Sequence, residues 1–321
     1  MRFLITGGAG FIGSHLCEQL VNYHHTVVCL DNFNSYYDPR IKRNNLQKIL
    51  NSRLFLLVEG DILDRPLLNE LFQKSKFDVV VHLAARAGVR PSIQEPLLYE
   101  QVNVQGTLHL LELCRDHGVR RFIFASSSSV YGANQKVPFA ETDFVDNPIS
   151  PYAATKKAGE LLCYTFHHLY NLSVNCLRFF TVYGPRQRPD MAIHKFANLI
   201  WQNKPIPVFG NGKSKRDYTY IEDIIQGILG AIEFCDGYRV YNLGESKTVE
   251  LHYLIHLLEK ALGKKAILDF QPEQPGDVPI TFADIALAKK ELNYNPHIAI
   301  EEGIDHFAAW FKTKNNNFGS H

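Results

Sequence analysis

The run Gly7-Gly8-Ala9-Gly10-Phe11-Ile12-Gly13 follows the apolar stretch Phe3 to Thr6 and precedes a segment of helical pattern. A strand, a glycine turn and a helix in that order make a tight bend whose bare backbone can approach a ligand, with a pyrophosphate held at the positive end of the helix. Gly7, Gly10, Phe11, Ile12 and Gly13 are therefore expected to line a dinucleotide site. A glycine pattern alone is weak evidence, but this one is followed by Asp31 and Asn32 at the end of the next β-rich run. A carboxylate there can accept hydrogen bonds from a ribose diol and repels the additional phosphate of NADP, so NAD is the expected cofactor. The alternative for Asp31 is a turn cap shared with Asn32. Asp61 and Ile62, after the third run, are placed to meet an adenine edge. Leu83, Ala84 and Ala85, after the fourth, offer small residues beside the dinucleotide.

Short apolar runs recur with helical stretches between them: Phe3 to Thr6, Thr26 to Leu30, Leu54 to Glu59, Val79 to Leu83, Phe122 to Ser126, Val174 to Phe179 and Arg239 to Leu243. Each is too short and too uniformly apolar for a half-exposed hairpin strand. The alternation predicts an α/β fold, a doubly wound, mostly parallel Rossmann sheet covered on both faces. From Gly184 onward the texture turns irregular, with Pro185, Pro189, Pro205, Pro207 and Gly210-Asn211-Gly212, which marks a smaller second lobe. Because Arg239 to Leu243 still has the pattern of a buried strand, the lobes interleave. The expected division is 1–180 for the NAD-binding domain, with 219–248 returning to it, and 181–218 with 249–321 for the substrate lobe.

At 321 residues the chain has the length for two lobes, and a formal charge of +1 gives no general reason to meet nucleic acid or a charged membrane surface. The longest apolar runs are strand-sized, far below the ~20 residues of a membrane span. Met1 to Thr6 could begin an export signal, but the glycines interrupt it, and a cytoplasmic protein is expected. The six cysteines are scattered singly among apolar neighbours, which suits buried free thiols. The paired histidines His24-His25 and His167-His168 point in divergent directions on a helix, so no metal is expected. Two helical segments, Pro96 to His117 and Pro151 to Tyr170, are apolar over more of their circumference than one sheet contact uses. They are expected either to pair in a homodimer or to be covered by the small lobe.

The second of these segments carries the chemistry. Ser150 as cap and Pro151 at the first helical position start a helix, and the spacing of Tyr152 and Lys156 stacks a phenol and an ammonium on one face. A free tyrosine ionises near pH ~10, so it serves as a base at neutral pH only if its surroundings favour phenolate. The Lys156 ammonium and a bound nicotinamide cation are both expected to pull its pKa down.

With Gly7 to Gly13, Asp31, His82-Leu83-Ala84-Ala85, Ser126 to Gly132 and Tyr152-x-x-x-Lys156 in order, the chain resembles the extended short-chain dehydrogenase/reductases, from about Arg2 to Phe311. That resemblance implies a Rossmann domain holding NAD(P) and a C-terminal lobe closing over a nucleotide sugar. Asp38-Pro39 with Lys42-Arg43, Ala87 to Ser92, Arg178 to Pro185, Arg188-Pro189-Asp190-Met191-Ala192 and Gln274 to Val278 look most like the UDP-glucuronate 4-epimerase subgroup, with the UDP-glucose and UDP-N-acetylglucosamine 4-epimerases close behind. Thr181 and Gln274 depart from the UDP-glucose pattern. Sugar-nucleotide dehydratases are less similar, because Ser127-Ser128-Ser129 stands where they place a Thr-Asp-Glu acid and base.

The implied reaction is transient oxidation at C4, rotation of the 4-keto sugar and hydride return to its other face. Tyr152 is the implied base, Lys156 its partner and Ser127 the group that hydrogen-bonds the same hydroxyl. Arg216 is the implied diphosphate ligand, beside a uracil wall at Val208 to Gly212. Ser128, Thr181 and Arg188 are the candidates for a sugar carboxylate, with Arg188 equally suited to the β-phosphate. Arg90 and Asp277 complete the substrate set. Rival readings are a UDP-glucuronate decarboxylase, a dehydrogenase releasing NADH, and a non-catalytic NAD-binding sensor.

Overall fold

The computed structural model describes residues 1–272 and 278–318. Its frame is a seven-stranded parallel sheet built from β1 (Arg2–Thr6), β2 (Thr26–Asp31), β3 (Phe55–Glu59), β4 (Val79–His82), β5 (Arg121–Ser127), β6 (Ser173–Phe179) and a late strand, Tyr238–Leu243. The spatial order from one edge is Tyr238–Leu243, β6, β5, β4, β1, β2, β3. Every neighbouring pair is parallel. All seven lie within a residue or so of the apolar runs in the sequence. Val79 to His82 is buried throughout, as a central strand with helices on both faces requires.

The strand order reverses beside β1: the chain runs outward through β2 to β3 and then crosses back to β4 on the other side of β1. In an open α/β sheet that reversal leaves a crevice at the carboxyl ends of the strands. Gly7 to Gly10, Asp31, Glu59 to Asp61, Leu83 to Ala85 and Ser126 to Ser128 all sit at those ends.

Tyr152 and Lys156 lie in the first two turns of the helix Pro151–Tyr170. The Ser150 side chain accepts from the Ala153 N–H at 3.2 Å, and Pro151 presets the first turn. Asn171, left-handed at φ +55°, ends the helix with its N–H on the His167 carbonyl at 2.8 Å. The other long helical segment departs from expectation. Its course from Pro96 to Asp116 widens to a π-turn over Gln101–Gln105. The buried Asn103 side chain uses that turn to accept from Arg86 N–H at 2.8 Å and to donate to the Arg86 carbonyl at 3.0 Å and to Thr155 Oγ1 at 3.0 Å. A polar side chain at mid-helix thus fixes the loop after β4.

After β6 the chain forms small two-stranded pairings: Thr181–Tyr183 with Tyr218–Tyr220, Lys215–Arg216 with Val249–Glu250, and Pro205–Phe209 with Ile267–Gln271. Helices Ala192–Trp201, Leu251–Leu262 and Ile300–Phe318 pack beside them. No helix among the described residues is long and apolar enough to cross a membrane. All six cysteines are buried and unpaired by disulfides.

Candidate active site

A cleft of about 720 Å³ opens along the carboxyl ends of the strands, with Phe179 to Val182, Arg188, Asp190 and Met191 also on its border. It is lined by Gly7, Gly10, Phe11, Ile12, Gly13, Asp31, Asn32, Asp61, Ile62, Leu83, Ala84, Ala85, Tyr152 and Lys156, the whole set expected for the cofactor. Ser127, Ser128, Thr181 and Arg188 line it too. The cradle depends on absent side chains. Gly7 has φ +69°, and a Cβ there would lie 2.7 Å from Ala84 N; a Cβ on Gly13 would lie 2.3 Å from the Gly7 carbonyl oxygen. Helix Phe11–Asn22 begins directly at this turn, so its first N–H groups border the cleft.

Asp31 is 5% exposed and largely committed to the protein. Its oxygens accept from Ala9 N–H at 3.2 Å, Phe33 N–H at 2.9 Å and the buried Lys42 ammonium at 3.2 Å. Asn32, on the rim, donates to Asp61 at 2.7 Å. Lys42 and the aromatic residues Tyr36 and Tyr37, all lining the cleft, are absent from the set expected from the sequence. Lys42 enters the sequence reading only through its motif with Asp38, Pro39 and Arg43, and nothing local says that it turns inward.

Tyr152 keeps part of its surface open to the cleft, yet burial pushes its phenol above the ordinary value, while a hydrogen bond with Ser127 and the charge of Arg188 pull the other way. Lys156 is not among the groups that set this balance. The Lys156 Nζ donates to the Ala125 carbonyl at 2.7 Å and stands 6.0 Å from the Tyr152 ring centre, and burial drops its own pKa to about 8. The i, i+4 spacing brings the pair together, and one of the three ammonium N–H groups is engaged by the end of β5. Ser127 itself accepts from Ser129 N–H at 3.1 Å, which tightens the serine turn.

Beneath that turn runs a buried network. Ser126 donates to Glu160 at 2.6 Å; Arg178 forms a two-bond pair with Glu160 at 2.8 and 2.9 Å and donates to Tyr131 OH at 3.0 Å. Tyr131 donates to Asn242 at 2.7 Å. The pairing with Arg178 holds the Glu160 carboxyl below its usual value against the burial that would raise it. His82, buried between Thr6 and Thr107, is neutral, burial having lowered it to about 3.

Arg90 and Arg216 do not line the cleft. Arg90 lies over the Phe209 ring, its guanidinium carbon 4.5 Å from the ring centre. Arg216 sits in its short strand beside Asp217, which is wholly buried and accepts from the N–H groups of Glu245, Ser246 and Ala283 at 2.8 to 3.1 Å. Asp277 lies outside the described residues. No group of three His, Cys, Asp or Glu among the described residues could hold a metal.

The family model described as GDP-mannose 4,6 dehydratase matches residues 4–307. The chain is 45% identical over 311 residues to a UDP-glucuronate 4-epimerase of Thermodesulfobacterium geofontis, covering 97% of this chain and 96% of that protein. Its fold superposes with TM-score 0.90 on UDP-glucuronic acid 4-epimerase from Bacillus cereus, solved in complex with UDP-glucuronic acid and NAD. That pair is 38% identical, over 98% of this chain and 100% of the other. UDP-glucose 4-epimerase from Thermotoga maritima, solved with UDP-glucose, superposes with TM-score 0.91 at 33% identity, covering 98% and 100% of the two chains.

Proposed function

Because this chain belongs to the GDP-mannose 4,6-dehydratase family of extended short-chain dehydrogenase/reductases, we propose that it interconverts UDP-glucuronate and UDP-galacturonate as an NAD-dependent 4-epimerase. The observation that carries this reading is the convergence of Tyr152, Ser127 and Lys156 with the glycine turn and Asp31 on one cleft. A dinucleotide fits those residues: Gly7 and Gly13 leave bare backbone at a helix N-terminus, where an anion is favoured. Asp31 and Asn32 serve the adenosine ribose, Asp61 and Ile62 the adenine, and Leu83 to Ala85 the face of the dinucleotide. When bound, NAD supplies the hydride acceptor and donor for C4 of the sugar.

Tyr152, as phenolate, takes the proton of the 4-hydroxyl and returns it after the sugar has turned. Ser127 hydrogen-bonds the same hydroxyl and, with Arg188, favours the ionised phenol against the cost of burial. Lys156 holds the floor of the pocket through Ala125 and binds the cofactor ribose. Turning of the sugar requires a firm diphosphate end, assigned to Arg216, and a uracil wall, assigned to Val208 and Phe209 with Arg90 over the latter. Asp277 belongs to the same substrate set. Ser128, Thr181 and Arg188, all lining the cleft, meet the sugar carboxylate.

Incubation with UDP-glucuronate, followed by NMR and mass spectrometry, tests the reading. UDP-galacturonate at unchanged mass is expected. A UDP-pentose would select a decarboxylase, accumulating NADH absorbance a simple dehydrogenase, faster conversion of UDP-glucose the UDP-glucose epimerases, and inertness toward every UDP-sugar a sensor.

The same reading assigns 1–180 with 219–248 to the cofactor and 181–218 with 249–321 to the sugar nucleotide, supported by the return of Tyr238–Leu243 to the sheet edge. A homodimer is proposed through helices 96–117 and 151–170. Leu97 is 78% exposed, and Leu161, Tyr164 and Leu169 each expose more than half of their surface. Such a stripe suits a second copy of itself. Reduced, buried cysteines suit the cytoplasm.

A further inference from the structure

The segment 184–190 is fastened on two sides. Outside the cleft, His15 Nε2 donates to the Pro185 carbonyl at 2.9 Å, and Arg186, left-handed at φ +66°, pairs with Glu18 and reaches Ser14, so the segment is moored on helix Phe11–Asn22. Gln187, 1% exposed, donates to the Val182 carbonyl at 3.0 Å and accepts from His194 N–H at 3.1 Å. Held in this way, the segment presents Arg188 and Asp190 to the cleft beside Tyr36.

Arg188 and Asp190 are joined by two parallel bonds, Nε to Oδ1 at 3.0 Å and Nη2 to Oδ2 at 2.8 Å. The guanidinium lies over the Tyr36 ring, 5.5 Å from its centre, and Tyr36 OH donates to Asp190 at 3.4 Å. Arg86 approaches the same ring at 5.8 Å. A guanidinium offers a carboxylate two forks, one at Nε and Nη2 and one at Nη1 and Nη2. Asp190 takes the first. The second carries no hydrogen bond to any described residue through Nη1.

We propose that Asp190 is a positioning residue: it clamps the side fork of Arg188, with Tyr36 as platform, so that the end fork receives the C6 carboxylate and makes the site selective for a uronate. The proposal rests on the UDP-glucuronate reading and deepens it. A lone arginine in this cleft would be a long, mobile cation that the diphosphate could capture. Paired with Asp190, it loses most of its long-range charge and keeps a directional hold on a planar, two-oxygen ligand.

Calorimetric titration of the NAD-loaded enzyme with UDP-glucuronate and with UDP-glucose separates the possibilities. Asp190→Asn should weaken UDP-glucuronate about tenfold, the scale of one charge-assisted hydrogen bond, and change UDP-glucose less than about twofold. Asp190→Glu should recover part of the loss. Arg188→Gln combined with Asp190→Asn should be no worse than Arg188→Gln alone, since the aspartate acts through the arginine. A selective wild type with equal losses for both sugars, or with none, overturns the positioning role alone. A wild type that binds both sugars equally well overturns the uronate reading and this proposal with it.

Discussion

The two ends of the cleft are made in different ways. At the cofactor end, the turn at 7–13 and the pairs or triplets at 31–32, 61–62 and 83–85 each follow one of the first four strands of a single sheet, so the sheet alone brings them to one edge. Much of that site is backbone: a turn without side chains and the start of a helix. At the end proposed for the sugar, Tyr36, Ser127, Thr181, Arg188 and Asp190 come from four separate segments, held by side-chain contacts such as Arg186 with Glu18 and Gln187 with Val182. A backbone-built site tolerates little change and binds one class of ligand. A site built from side chains on moored loops can be retuned residue by residue, which suits a fold shared by neighbours solved with UDP-glucuronic acid and with UDP-glucose.

The largest expected effect falls where the two ends meet. Tyr152→Phe should cut turnover about 10²- to 10⁴-fold while NAD released on denaturation stays stoichiometric, and retained turnover would remove the phenol from the chemistry. Next comes the network beneath the serine turn. Glu160→Gln strands the buried Arg178 guanidinium and should cost about 3–5 kcal/mol in denaturant unfolding, whereas a loss under about 1 kcal/mol would mean that the pair is dispensable. Gly13→Ala tests the backbone end directly. Its Cβ would crowd the Gly7 carbonyl, for about 1–3 kcal/mol of destabilisation with weaker NAD retention; unaltered retention would break the contrast drawn between the two ends.

Smaller effects sharpen the sugar end. Arg216→Ala should raise the KM for the UDP-sugar by about tenfold with kcat nearly unchanged, and an unchanged KM would move the diphosphate ligand elsewhere. The smallest concerns Glu245, whose carboxyl burial pushes up to about 7 and whose Oε2 has no hydrogen-bond partner among the described residues. The folded protein holds that proton over a pH range in which the unfolded chain, with its ordinary value of 4.5, has lost it. Stability linked to Glu245 is therefore present at acid pH and lost as pH rises toward 7. Glu245→Gln should gain about 1–3 °C in Tm over wild type between pH 5 and pH 8, and parallel melting profiles would refute the linkage.

What could be read from the chain follows the same division. The strands, the glycine turn and the place of Asp31 at the end of β2 were legible because each is written in contiguous residues. The cap at Ser150 and the extent of the helix to Tyr170 were equally local. Lys42 inside the cofactor site, the π-turn around Asn103 and the Ser126, Glu160, Arg178, Tyr131 and Asn242 network were not. Each joins residues far apart in sequence, and no local pattern says which charged side chain will turn inward. The contact between Lys156 and Ala125 was hidden for a related reason: spacing sets which face a side chain occupies, while the partner at its tip comes from another element.

The late strand Tyr238–Leu243 seals the edge of β6 only after the chain has already built pieces of the sugar end. A chimera that grafts the sugar-recognising half of one relative onto the nucleotide-binding half of another therefore cannot be made with a single splice near residue 180. The donor sequence would bring its own edge strand, whose six residues must match a foreign β6 in register and in the helix packed over it, so recombination among these enzymes is constrained to exchange loops rather than halves.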